Sequence, residues 1–138
     1  MTSANRTDWS AIKSPTLEDF EILAEKAFLR LPETFRAQCE GILIRVEDFA
    51  EDDALESLCI ESPFDLMGLY QGTSIAAGPS AVRGAPDAVF LFRRAILDYW
   101  AEYDETLGEL ITHVLVHEIG HHLGLSDPDI EAIEAAAG

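Results

Sequence analysis

The residues best suited to chemistry lie close together near the carboxyl end of the chain. All four histidines fall between positions 113 and 122, and His117 and His121 are four residues apart. On a helix this spacing puts two imidazoles on one face, about one turn apart. Two neutral imidazole nitrogens at that separation can bind one Zn²⁺ with bonds of about 2.0–2.1 Å. The pair therefore predicts a metal site with one zinc per chain.

Glu118 directly follows the first of these histidines. In the order His-Glu-x-x-His, a carboxylate beside the metal is placed to take a proton from bound water rather than to ligate. The segment from His117 to Asp127 reads HEIGHHLGLSD, so the motif continues as x-x-G-x-x-D. This continuation lowers the chance of a random match by roughly two orders of magnitude. We predict that Glu118 is the catalytic general base.

A catalytic zinc takes three protein ligands and a water, so a third ligand is needed. His113 lies eight residues before His121, a rise of about 12 Å, and His122 is turned about 100° from His121 around the helix. Both are expected to be packed or surface histidines. Asp127 is the better candidate, because Gly124 allows the chain to reverse and return a carboxylate to the metal. Asp127 also precedes a proline and suits an N-cap, and the two roles can coexist.

These side chains need a long helix to position them, and the sequence predicts one over residues 105–123. Its core side has apolar residues at helical spacing: Leu107, Leu110, Ile111, Val114, Leu115 and Ile119. Gly124 is placed as the left-handed residue that ends this helix. A short terminal helix is expected from Asp127, read as its N-cap, to about Ala136.

Before this helix, the spacing of apolar residues changes several times along the chain. Helical spacing predicts a first helix that begins at Ser14-Pro15 and ends at Pro32. Three strands and a further helix are predicted at residues 41–46, 65–72, 88–92 and 93–103. The acidic run at 47–53 favours a solvated turn before a short helix, and residues 73–86 favour a flexible loop. This order predicts an α+β domain with a small sheet.

Length and composition limit the classes of protein that remain. The 138 residues predict one domain at 14–138, preceded by a flexible lead-in at 1–13. A net charge of −17 argues against binding to nucleic acid or to anionic membrane lipid. No apolar run is long enough to span a membrane, and the opening residues lack the apolar core of a secretory signal. We therefore expect a cytoplasmic protein. Cys39 and Cys59 are expected to be buried thiols.

The motif and several other stretches resemble known proteins. HEIGHHLGLSD resembles the metzincin-type zinc signature, with Asp127 where most metzincins carry a third histidine. The chain also resembles a family of small bacterial zincin-like metallopeptidases, through the stretches FEILAEKAFLRLPETF, ILIRVEDF, LMGLYQG, VFLFRRAIL and THVLVHEIGHHLGLSD. The resemblance extends roughly from Leu17 to Glu131. It implies a minimal zincin-like fold, in which a small mixed sheet backs the active-site helix and a sheet edge can accept an extended peptide.

The resemblance also implies a zinc peptidase with a peptide or protein substrate. Two features depart from larger relatives. The few residues after Asp127 include no methionine, so the methionine turn of true metzincins is absent. Other zincins take a glutamate from a later helix, further along the chain than Glu131 and Glu134, so neither of these is expected to ligate.

Two functions of different classes follow from these observations. The first is a zinc-dependent peptidase in which Glu118 deprotonates the metal-bound water and later protonates the departing amine. The alternative is a metal-stabilised binding or regulatory module with little turnover. Glu118 favours catalysis, because a structural site needs no base and prefers four closed ligands. A non-peptidase hydrolase that uses the same activated water is a third candidate.

Two groups of residues are candidates for roles beside the metal. A strand at Val89–Phe92 is a candidate edge for pairing with an extended peptide, although such an apolar run also suits the core. Donors to a developing oxyanion are sought among Tyr70, Tyr103, Arg93 and Arg94, although each also suits a structural role.

Overall fold

A computed structural model describes residues 7–72 and 86–137. The predicted loop at 73–86, apart from Pro86, and the first six residues of the predicted lead-in lie outside these ranges. Six α-helices and three strands occur within them: α1 (Leu17–Leu29), α2 (Glu33–Gln38), β1 (Leu43–Glu47), α3 (Asp52–Ser57), β2 (Gly68–Gln71), β3 (Ala88–Phe92), α4 (Arg93–Glu102), α5 (Leu107–His122) and α6 (Asp127–Ala136). Short 3₁₀ turns occur at Trp9–Ala11 and Pro63–Asp65. None of the described helices is both long and apolar enough to span a membrane.

The three strands form one mixed sheet in the order β1-β3-β2. β1 is parallel to β3, and β2 is antiparallel to it. The predicted α+β architecture with a small mixed sheet is confirmed. The structure contradicts the candidate role of Val89–Phe92 as an edge strand and confirms the core alternative, because β3 has a hydrogen-bonded neighbour on each side. Val89 and Leu91 are fully buried, as expected of a central strand. Among the described residues, β1 and β2 form the edges of the sheet.

α5 is the central element of the core. It packs against α1 on one side and against the sheet through β2 and β3. All six apolar residues predicted for its core side are buried: Leu107, Leu110, Ile111, Val114, Leu115 and Ile119. The helix begins after Thr106, whose hydroxyl accepts the backbone N–H of Glu109. The long periodic pattern therefore predicted the element that carries the motif.

The end of α5 also follows its prediction. Gly124 has φ of +80°, a left-handed conformation that a side chain would strain. The backbone N–H of Leu125 then donates to the carbonyl of Gly120 at 2.9 Å, which closes the helix end. The chain reverses here, so α6 returns along α5.

The amino-terminal helix begins later than predicted. Thr16, rather than Ser14, is the N-cap of α1, because Thr16 and Asp19 form a reciprocal capping box. Pro15 lies before the helix, where its carbonyl accepts a hydrogen bond from Arg93 at 2.6 Å. α1 ends at Leu29, and the unpredicted helix α2 follows Pro32.

The two cysteines differ in environment. Cys39 is buried, as predicted, and burial raises the pKa of its thiol to about 11. The prediction for Cys59 is wrong, because this residue is exposed just beyond α3, where it adopts a positive φ of 58°.

Candidate functional site

The motif residues occupy the last two turns of α5. His117 is partly buried and His121 is 48% exposed in its side chain. Their imidazole centroids are 4.1 Å apart, with the ring planes inclined by 57°. The prediction that the two histidines lie one turn apart on one helix face is therefore confirmed.

α6 brings Asp127 back to the motif. Asp127 is the first residue of α6, and its Oδ1 lies 3.2 Å from Nε2 of His121. The prediction that Asp127 is the N-cap is wrong by one residue. Ser126 takes that role, since its hydroxyl accepts the backbone N–H of Asp129 at 3.3 Å. The carboxylate of Asp127 is left 78% exposed and outside the capping interaction.

The chemistry of this donor set fits a zinc ion. Two ligands of one tetrahedral zinc, each bonded at about 2.0–2.1 Å, lie roughly 3.3 Å apart. The 3.2 Å between His121 Nε2 and Asp127 Oδ1 matches that separation. Within residues 7–72 and 86–137, no three His, Cys, Asp or Glu side chains already converge as a closed metal site. The ring of His117 is instead inclined against that of His121. Binding by all three donors requires the imidazoles to rotate toward a common centre.

The surroundings of His117 favour its neutral imidazole. Burial lowers its pKa below the ordinary value of 6.5, and repulsion by His121 and His113 lowers it further. Asp127 and Glu134 partly oppose this shift. Since only a neutral imidazole binds metal, a lowered pKa reduces the proton competition that zinc meets.

We expect His117 in the metal-free protein to titrate below pH 6.5. The folded state disfavours its imidazolium, so this group's contribution to stability increases as the pH rises through its folded and then its unfolded pKa. NMR titration of the ring carbons, assigned with His117→Gln, measures the pKa. A value at or above 6.5 would contradict the proposed balance of burial and repulsion.

The side chain of Glu118 extends from α5 toward the edge strand β2. A Cβ placed at Gly68 would be 3.1 Å from Glu118 Cγ and 2.6 Å from Val114 Cγ1. Burial raises the pKa of the Glu118 carboxyl, and the charge of His121 partly opposes the shift. A raised pKa suits a group that must accept a proton and later donate it. The glycine on β2 therefore allows the strand to approach the predicted base.

Gly68→Ala is expected to destabilise the metal-free protein by about 1–3 kcal/mol, because the new methyl group overlaps Val114 and the sheet must shift. Urea unfolding measures the change. Gly108→Ala is the control, since a Cβ there meets nothing within 4 Å and should change stability by no more than about 1 kcal/mol. Equal stability of the two variants would contradict the close packing of β2 on α5.

His122 belongs to a different cluster at the end of the same helix. Its ring stacks on Tyr70 with centroids 3.8 Å apart and an interplanar angle of 15°. The Tyr70 hydroxyl donates to Asp87 Oδ2 at 2.7 Å, and His122 Nε2 lies 3.7 Å from the same oxygen. Burial and the neighbouring Asp87 raise the pKa of Tyr70. This cluster joins the end of α5 to β2. The stack agrees with the expectation that His122 is a packed or surface histidine, and it gives Tyr70, a candidate oxyanion donor, a structural contact.

The other predicted oxyanion donors lie at different places in the fold. Arg93 donates to Pro15 and to Asp48, which ties the start of α4 to the segment before α1 and to the residue after β1. Tyr103 is exposed and stacks on a neighbouring tyrosine of α4. Arg94 lies over the ring of Phe49 at 5.5 Å. These three side chains therefore have structural contacts away from the motif.

Comparison with known proteins identifies the family of this chain. The family model of zincin-like metallopeptidases matches residues 39–137. In structure the chain is similar to a conserved hypothetical protein from Thermus thermophilus, with a TM-score of 0.50 and 21% sequence identity. That match covers 79% of this chain and 94% of the other, and it bears on the fold alone. No curated protein sequence matches the chain. The family match spans most of the chain and includes the whole motif, so the protein belongs to the zincin-like metallopeptidase family.

Proposed function

We propose that the protein is a zinc-dependent peptidase whose metal is held by His117, His121 and Asp127. The observation that carries this proposal is the 3.2 Å separation of His121 Nε2 and Asp127 Oδ1, with the ring of His117 centred 4.1 Å from that of His121. Glu118 lies next to His117 in the chain and packs against β2. When bound, zinc supplies a Lewis acid that polarises a carbonyl and lowers the pKa of its water.

Glu118 performs the proton transfers in this proposal. Its carboxylate takes a proton from the attacking water and returns it to the nitrogen of the departing amine. The burial that raises its pKa strengthens it as a base, and also makes the protonated form accessible for the second transfer. Glu118 thus holds the proton between the two transfers.

The edge strand β2 supports a peptide as the substrate. Within residues 7–72 and 86–137, β2 pairs with a strand on one side only, and Gly68 brings it against Glu118. An extended peptide that pairs with the other side of β2 would satisfy the strand's remaining backbone groups and lie alongside the base. β2, rather than β3, is therefore the strand that we propose to pair with an extended peptide.

The exposure of the site favours catalysis over a purely structural metal. Structural zinc sites are closed by four protein ligands, whereas His121 and Asp127 here are 48% and 78% exposed. An open face leaves room for water and substrate. The metal-stabilised binding module therefore has less support than the peptidase.

The proposal is tested with zinc-loaded protein and an unbiased peptide library analysed by mass spectrometry. We expect cleavage that a chelator suppresses and that added Zn²⁺ restores. Mg²⁺ should not restore it, since magnesium prefers octahedral oxygen ligands. Absence of cleavage across the library by fully loaded protein would contradict peptidase activity, and cleavage that survives the chelator would contradict the metal mechanism.

Asp127→Asn is expected to weaken zinc binding by about tenfold or more, because an anionic ligand is replaced by a weak neutral one. The cap of α6 is Ser126, so metal-free stability should change by no more than about 1 kcal/mol. Asp129→Asn removes the same charge from the same helical turn and is the matched control. Competition with a chromophoric chelator measures affinity. Equal affinities for the two variants would exclude Asp127 as a ligand.

A further inference from the structure

His113 and Glu134 form a contact that the proposed function does not use. His113 Nδ1 lies 2.8 Å from Glu134 Oε1, which joins the middle of α5 to the last turns of α6. That oxygen is buried and makes no hydrogen bond of good geometry within the described residues. Buried carboxylate oxygens are costly unless they are paired, so His113 is the group that compensates Glu134.

This contact matches a second one at the other end of α6. Asp127 lies beside His121 and Glu134 beside His113. The two histidines are separated by about 12 Å along α5 and the two carboxylates by about 10.5 Å along α6, at 1.5 Å per residue. Because α5 and α6 are antiparallel and these two separations are similar, each carboxylate of α6 lies beside its own histidine on α5.

Between these pairs, α6 rests on α5 at a glycine. A Cβ placed at Gly120 would be 2.7 Å from Ile130 Cγ1, and Ile130 is buried in the core. Gly120 thus lets Ile130 sit close to the axis of α5. This contact lies between the two carboxylates along α6, and Ile133 and Ala137 extend the same apolar packing toward the carboxyl end of the helix.

We propose that His113 and Glu134 are positioning residues that fix the tilt of α6 and so present Asp127 to the metal. The apolar contacts of α6 are non-directional, whereas the contact of His113 with Glu134 fixes its direction at the end opposite Asp127. Asp127 itself is exposed at the first residue of the helix, where ends fray. A displacement of about 1 Å is enough to disrupt a ligand set. The inference rests on the proposed zinc site.

Zinc affinity tests this role without any substrate. Glu134→Ala and His113→Ala are expected to weaken zinc binding about tenfold, as outer groups that orient ligands do, while one zinc still binds at saturation. Glu131→Ala is the matched control, because Glu131 is an exposed glutamate on the same helix. The double variant should be no weaker than either single variant, since each removes the same contact. The absorption spectrum of the Co²⁺-loaded protein should change in these variants and not in the control.

The results of these measurements distinguish a failure of the positioning role from a failure of the proposed zinc site. Affinity and Co²⁺ spectra equal to those of Glu131→Ala would overturn the positioning role and leave the zinc site intact. Complete loss of zinc in Glu134→Ala, with circular dichroism unchanged, would make Glu134 a ligand and also overturn it. If Glu134→Ala does not fold, His113→Ala decides, because its side chain is 51% exposed. A wild-type protein that binds no zinc would overturn the proposed function itself.

Discussion

Glu118→Gln is expected to lower peptide hydrolysis by about 10²–10⁴-fold while the protein keeps its zinc and its fold. The glutamine side chain has the same size and fills the same space against β2, but it cannot accept a proton from water at neutral pH. Cleavage of any peptide found with the wild type should therefore nearly vanish. Elemental analysis measures the zinc content, and mass spectrometry measures the rate.

The control for this variant is Glu131→Gln, which makes the same chemical change at an exposed position on α6. It should cleave at the wild-type rate. If Glu118→Gln retained zinc and cleaved as fast as the control, Glu118 would not be the base. If it lost its zinc, Glu118 would be acting as a ligand.

Replacement of either motif histidine should abolish zinc binding. His117→Ala or His121→Ala leaves two donors, and two ligands hold zinc poorly. The zinc content after dialysis should fall from about one ion per chain to almost none. Elemental analysis alongside circular dichroism measures occupancy in folded protein.

His122→Ala is the control for this pair. It removes an imidazole next to His121, but His122 stacks on Tyr70 rather than on the motif histidines. It should retain one zinc per chain. Full zinc occupancy in His117→Ala or His121→Ala would show that other residues hold the metal.

The helix α5 and its motif could be predicted because the information is local. Its apolar residues repeat over four turns, and His117 and His121 follow the same period. The assignment of the N-cap of α6 failed because Ser126 and Asp127 are both good caps and only the backbone geometry decides between them. α2 was missed because six residues give little periodicity.

The features that could not be predicted depend on contacts between distant segments. An apolar run such as Val89–Phe92 is compatible with a central or an edge position, and only the strand order distinguishes them. The contact of His113 with Glu134 depends on the antiparallel packing of α5 and α6. Similarly, the stack of His122 on Tyr70 joins residues that are far apart in the chain.

The pairing of β1 with β3 has a consequence for how the site assembles during folding. Leu43 pairs with Ala88, so the sheet requires the closure of a long loop, which is slow. His117, His121 and Asp127 lie within one short helix–turn–helix segment, whose contacts are local. The contact between α5 and α6 is therefore expected to form early, whereas the packing of β2 against Glu118 must wait for the sheet. The proposed base thus acquires its buried environment only in the last stage of folding.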